Sequence, residues 1–170
     1  INDKDISQSL TSSVKAGLVE KTNNEGEYRF AHDRIQQSAA TMLPSGLRGE
    51  RIKACLGATM LELSRSNPSE LWMLYTATHL LMEHRSETGF SRVQIAELCL
   101  QAATSASTQS AFGMGAQYAE SGISVLGKNC WKDHYELTLQ LFKTANALHF
   151  SNGSLSASRK RAKAIQKKCL

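Results

Sequence analysis

Proline is almost missing from this chain of 170 residues, which has only Pro44 and Pro68, and aromatic residues make up just 6%. β-branched aliphatics are scarce as well: 11 valines and isoleucines stand against 39 leucines and alanines. Leucine and alanine favour helix and β-branched residues favour strand, so this balance excludes a fold built on a large sheet. No apolar run reaches the roughly 18–20 residues that a bilayer crossing needs, so no membrane span is expected. The four cysteines, at 55, 99, 130 and 169, lack the close pairing of a zinc site, and no metal is expected. A disulfide framework is not expected either, and the composition suits a reducing, cytoplasmic setting. Hydrophobic residues at 41% exclude wholesale disorder. The opening Ile1-Asn2-Asp3-Lys4-Asp5 has no signal-peptide character and reads as an internal piece of a longer protein.

What charge there is has an address. The net charge is +5, but six basic residues (Arg159, Lys160, Arg161, Lys163, Lys167 and Lys168) sit in the last twenty with no acid among them. The body before them is close to neutral, so the overall basicity does not describe a nucleic-acid-binding body. The run reads as the solvated face of a final helix. Arg159, Lys160, Arg161 and Lys163 are its candidates for an interaction patch.

Residues 5–17 carry Ile6, Leu10 and Val14 at helical spacing, with Gly17 placed to end the helix. Two short β-type stretches, 18–21 and 27–30, flank Thr22-Asn23-Asn24-Glu25-Gly26, which is turn chemistry, and predict a hairpin. A second helix follows, with Ile35, Ala39 and Met42 as its apolar face and Pro44-Ser45-Gly46 as its stop. Asp33 stands where an N-cap or first-turn acid would stabilise its start. From Leu47 onward the spacing predicts helices near 47–65, 69–85, 91–107, 110–126, 131–150 and 154–169. Trp131, Tyr135, Leu139, Phe142, Ala145 and Leu148 form a strong apolar stripe, and Leu155, Ala162, Ile165 and Cys169 a weaker one. Helix 110–126 contains Gly113, Gly115 and Gly122, each unfavourable by about 1 kcal/mol relative to alanine, which predicts a close approach to a neighbouring helix. The last two helices make a hairpin of about 40 residues, the size of a tetratricopeptide-type unit.

No phosphate-binding G-x-x-x-x-G-K-[ST] run, G-x-S-x-G elbow or H-E-x-x-H helix occurs, and no catalytic role is expected. His79 and His84 lie roughly 140° apart around one helix, a poor pair for one metal. One stretch stands out: Tyr28-Arg29-Phe30-Ala31-His32-Asp33-Arg34 runs from a strand into a helix and bunches His32, Asp33 and Arg34 at the helix start. Helix N-termini favour anions, and a histidine there can donate to a phosphate. The competing reading is that Asp33 caps the helix and His32 is a packed turn residue.

The run FAHDRIQQSAATMLP (30–44) resembles the F-x-H-D-R-[IV]-Q-Q-A-A-Y-x-L-[IL]-P signature of large multidomain signalling ATPases, in which kinase-like, ATPase, helical-repeat and sensor domains share one chain. Residues 110–153, with SAFGMGAQYAESGISVLG followed by WKDHYELTLQLF, resemble a second segment of that family. The resemblance implies a mainly α protein: a partial winged helix (helix, β-hairpin, helix) over 1–45, then an array of tetratricopeptide-like hairpins over 47–170. It implies that Ala31-His32-Asp33 is similar to a Met-His-Asp-like corner whose histidine contacts bound diphosphate. His32, Asp33 and Arg34 are therefore the nucleotide-sensing candidates. ATP or ADP is expected in the parent ATPase module, with no cofactor in this segment.

The expected function is a non-catalytic regulatory segment that couples an ATPase core, upstream in the same chain, to a helical-repeat arm. A protein partner is expected on the repeat surface, with neither a membrane nor a nucleic acid as partner. A stand-alone helical scaffold is the first alternative. A DNA-binding winged helix is the weaker one, because helix 5–17 lacks the basic residues that phosphate contacts require.

Overall fold

The computed structural model describes residues 3–24 and 26–169. The expectations touching Ile1, Asn2, Glu25 and the Cys169 side chain lie outside the described residues. The protein is mainly helical with one small two-stranded sheet. It divides into two compact units, Ile1–Gly49 and Glu50–Leu170.

In the first unit, α1 (Asp3–Lys15) ends where predicted. Gly17 takes φ 68°, a conformation that disfavours residues carrying a Cβ. The turn is closed by bonds from Gly17 N to the Val14 carbonyl and from Leu18 N to the Ser13 carbonyl, 3.0 Å each. β1 (Val19–Lys21) and β2 (Tyr28–Phe30) pair antiparallel, Val19 opposite Phe30 and Glu20 opposite Arg29. Arg29 reinforces that register by donating to the Glu20 carboxylate at 2.8 and 3.0 Å. At the turn end, the Glu27 carboxylate accepts from the Thr22 hydroxyl (2.8 Å) and the Asn24 amide (2.6 Å). α2 (Asp33–Thr41) follows directly. Among the described residues of this unit, no side chain beyond Cα is buried, and Met42 is 83% exposed.

The second unit has the core. α3 (Leu47–Ser66), α4 (Leu71–Glu83), α5 (Arg92–Thr108), α6 (Phe112–Leu126), α7 (Cys130–Asp133), α8 (Tyr135–Ser151) and α9 (Leu155–Cys169) follow in order. α5 is its centre, packing against α4, α6 and α8. It starts with a capping box: the Ser91 hydroxyl accepts from Gln94 N (3.2 Å), and the Gln94 side chain accepts from Ser91 N (2.8 Å). Its buried residues, Ile95, Ala96, Leu98, Cys99, Ala102, Ala103 and Ala106, spread over much of its circumference, as a helix flanked on several sides requires. Burial pushes the Cys99 thiol up to about 12, so this sulfur is a packing atom and not a nucleophile.

The three glycines of α6 resolve into two kinds. A Cβ on Gly122 would lie 2.8 Å from Leu141 Cδ2 and 3.1 Å from Cys99 Cβ. One on Gly115 would lie 3.0 Å from the Ala103 carbonyl oxygen and 3.1 Å from Leu148 Cδ1. These two let α6 sit close between α5 and α8. Gly113 faces only the Asn152 side chain, at 3.3 Å.

Three expectations need correction. The single helix over 131–150 is broken: His134 leaves helical geometry (φ −143°, ψ 56°) and separates α7 from α8. The buried Thr138 hydroxyl then donates to the Cys130 carbonyl at 3.0 Å. The inward stripe of α8 is Thr138, Leu141, Phe142, Ala145 and Leu148, while Tyr135 is exposed and Leu139 half-buried. In α9 the expected stripe fails at Leu155 and Ala162, both exposed. Ser158 is buried instead, its hydroxyl donating to Asn146 Oδ1 at 2.7 Å. Neighbouring helices set the phase of these faces more finely than apolar spacing does.

Candidate functional site

The strand-to-helix corner of the first unit is built by the hairpin. β2 ends at Phe30, and His32 takes extended backbone (φ −154°, ψ 144°) before α2 begins. The His32 carbonyl accepts from Ile35 N (2.9 Å) and Gln36 N (3.2 Å), which makes His32 the N-cap. Its ring completes the cap, with Nδ1 accepting from Arg34 N at 3.2 Å. The cap is therefore His32 and not Asp33, which occupies the first turn as an acid favourable to the helix dipole. An imidazole can take this role because it presents an acceptor nitrogen at the reach of the usual Ser or Asp oxygen.

The capping bond assigns the tautomer. An accepting Nδ1 is unprotonated, so the proton resides on Nε2, a donor with no partner among the described residues. His32, Asp33 and Arg34 are all exposed. The corner thus combines one imidazole N–H, the N-terminal end of a nine-residue helix and a guanidinium. Chemically this can contact one phosphate.

Beside the corner is an apolar groove of about 500 Å³. Leu18, Val19, Phe30, Ile35, Ala39 and Met42 line it, with Arg34 at its edge. These are apolar residues of the hairpin and of α2 and its end, drawn onto one side and left open. Sequence periodicity shows the α2 stripe but gives no sign that no other described residue of the unit covers it.

The basic run of α9 is split by the structure. Arg159, Lys160 and Lys163 are exposed, whereas Arg161 turns inward. Its guanidinium donates to both oxygens of Glu120 on α6, with the Nε contact at 2.7 Å. It also lies 5.0 Å from the centre of the Phe142 ring, within cation–π range. His149 on α8 approaches the same carboxylate at 3.0 Å. Burial of Glu120 works to raise its pKa, but the hydrogen bonds and charges of Arg161 and His149 outweigh it and hold the carboxyl below its usual range. Arg161 is thus a clamp joining α9 to α6 and is not available to an external partner. Sequence reasoning missed this because Glu120 lies 41 positions away.

A second buried network also escaped notice. His84, at the end of α4, is 3% exposed, and its Nδ1 pairs with Glu50. Its Nε2 has no hydrogen-bond partner and lies 3.7 Å from the Glu83 carboxylate. Arg51 pairs with Glu87 at 3.0 Å. These links tie the first turns of α3 to the corner after α4.

Among the described residues no cluster of three or more metal-ligating side chains occurs, and no helix is long and apolar enough to cross a membrane. No family model, curated protein or solved structure matches the chain.

Proposed function

We propose that this chain is a non-catalytic regulatory segment of a cytoplasmic, multidomain signalling ATPase. The first unit is the end of a winged-helix subdomain that rests on the ATPase core. The second is a tetratricopeptide-like array that displays the state of that core to a protein partner. One observation carries the reading: the first unit holds an open apolar groove and no buried side chain beyond Cα among its described residues, so it lacks a core of its own. A short hairpin flanked by two helices is marginal in water without a covered hydrophobic face. A contiguous exposed apolar surface is a place where another body packs.

The exposed corner beside the groove supports the same reading. With Nδ1 committed to the helix cap, the Nε2–H of His32 is the group left to donate to a diphosphate held by the core, with Arg34 two residues on. ATP or ADP would be bound by that core, and this segment would supply a single contact to it. A charge-assisted bond of this kind contributes about 1.5–3 kcal/mol. Losing it should speed ADP release by roughly tenfold or more.

The test uses the full-length parent. His32→Ala removes both the cap and the donor, so it is compared with His32→Ser, which can keep a capping oxygen but lacks the imidazole N–H. Both variants should release ADP faster and shift the protein toward its signalling state. Release at the wild-type rate in His32→Ser would dismiss the phosphate contact and leave His32 as a cap.

A further inference from the structure

Three cavities of the second unit neighbour one another, each sharing a lining residue with the next, and mark out one trough-like surface on both sides of α6. The first, about 330 Å³, lies between Tyr75 and His79 of α4 and Tyr118 of α6. The second, about 350 Å³, shares His79 with it and continues along Met82 and Glu83 of α4 and Ser124 and Val125 of α6. The third, about 600 Å³, shares Ser121 with the second and crosses α6 to Gln117, His149, Asn152 and Ser154. The lining follows helical spacing: 75, 79 and 82 on α4, and 117, 121 and 124 on α6. Their order of meeting, Tyr75 with Tyr118 and Met82 with Ser124, means that α4 and α6 run side by side in the same direction. α5 makes the return between them. This face of α6 carries Gln117 and the two short polar side chains of Ser121 and Ser124, which fill little space.

The electrostatics are as specific as the shape. The chain is basic overall, yet among the described residues no lysine or arginine lines any of the three cavities. Two carboxylates do. Glu120 is neutralised by Arg161. Glu83 has two imidazoles near it, His79 Nδ1 at 3.6 Å and His84 Nε2 at 3.7 Å, and among the described residues it pairs with no guanidinium or ammonium. Next to Glu83 are Met82 and Val125. Beyond them Tyr75 and Tyr118 stack with centroids 5.7 Å apart, offering an apolar and π-rich floor.

We propose that this trough is a docking surface for an extended, basic polypeptide segment of a protein partner. A lysine or arginine of the segment would reach Glu83, an apolar side chain would rest on Met82 and Val125 or on the tyrosine pair, and the amides of Gln117 and Asn152 would bond its backbone. From position 113 to 125, α6 rises about 18 Å. At about 3.3 Å per residue, that length accommodates five or six residues of extended chain. The proposal stands on the second unit alone and does not rest on the nucleotide reading of His32.

The test is selection of a random hexapeptide display library on the full chain, without nucleotide, followed by fluorescence anisotropy of the selected peptides. Selected peptides should be enriched in lysine or arginine next to an apolar residue. Glu83→Gln should weaken them by roughly two- to fivefold, as for a solvent-accessible ion pair. Ser124→Arg, at an exposed position, should weaken them tenfold or more by placing the ligand's own charge in the trough. Circular dichroism checks that both variants remain folded. No enrichment, an acidic consensus, or binding indifferent to Ser124→Arg would overturn the proposal. So would concentration-dependent self-association of the chain that Ser124→Arg abolishes, since the occupant would then be a second copy. The assay involves no ATPase core, so its failure leaves the nucleotide reading standing, and the reverse also holds.

Discussion

Replacing Gly122 by alanine pits helix propensity against packing, and the structure decides which wins. Alanine is preferred over glycine in a helix interior by about 1 kcal/mol, so propensity alone predicts stabilisation. The added Cβ, however, would stand 2.8 Å from Leu141 Cδ2 and 3.1 Å from Cys99 Cβ. Leu141 and Cys99 are both fully buried, so neither has space to retreat into. Overpacking of a close-packed core typically costs about 1–3 kcal/mol. Set against the propensity gain, the overpacking leaves an expected net destabilisation of up to about 2 kcal/mol. Gly115→Ala should behave alike, because the Ala103 carbonyl that faces it at 3.0 Å is backbone. Gly113→Ala is the control: its Cβ meets only the end of the exposed Asn152 side chain, and the substitution should be neutral or stabilising by up to about 1 kcal/mol. Both tryptophans, Trp72 and Trp131, belong to the second unit, so tryptophan fluorescence during urea unfolding reports on that unit. The midpoint should fall for Gly122→Ala and Gly115→Ala with an unchanged slope, and should not fall for Gly113→Ala. A Gly122→Ala protein more stable than the wild type, as propensity alone predicts, would refute the close approach of α6 to α5 and α8.

Phe142 is 5% exposed, lies 4.8 Å from the Trp131 ring and sits beneath the Arg161 guanidinium, so Phe142→Ala should destabilise the second unit by about 3–5 kcal/mol in the same urea assay. Arg161→Ala should remove two charge-assisted bonds and lower stability by roughly 2–4 kcal/mol, whereas Lys160→Ala, on the exposed face, should change it by less than about 0.5 kcal/mol. The Glu120 carboxyl has a lower pKa folded than unfolded, so its stabilisation is present above the unfolded value and is lost as pH falls through the folded one. Glu120→Gln should therefore be clearly less stable than wild type near neutrality and should converge with it on acidification. Urea titrations at descending pH check this, and a difference independent of pH would remove the carboxylate from the account.

Much of the secondary structure was legible because it is locally encoded. Gly17 with Leu18 stops α1, the turn residues after Lys21 reverse the chain, and Pro68, Gly89 and Gly153 lie in the breaks between later helices. The close approach hidden in α6 was legible too, since glycine inside a helix is unfavourable unless something needs the space. The corner at His32 is legible as a cluster, and Asp33 stands in the first turn, one of the two places its position suggests, while the N-cap itself is His32. Propensity ranks aspartate as a capping residue and does not see that the extended backbone at His32 brings the ring to Arg34 N.

Composition and periodicity by themselves determined that this chain is helical, where most of its helices begin and end, and that a small hairpin precedes α2. Those properties depend on interactions within a few residues, which the order of residues states directly. Only the tertiary structure decided which face of α8 and α9 turns inward, that Arg161 is a clamp on Glu120, that His84 is buried against Glu50, and that no lysine or arginine among the described residues lines the cavities between α4 and α6. Each of these depends on pairing between residues from about 12 to 43 positions apart. The partner in each is chosen by how helices stack, which no local pattern in the sequence records.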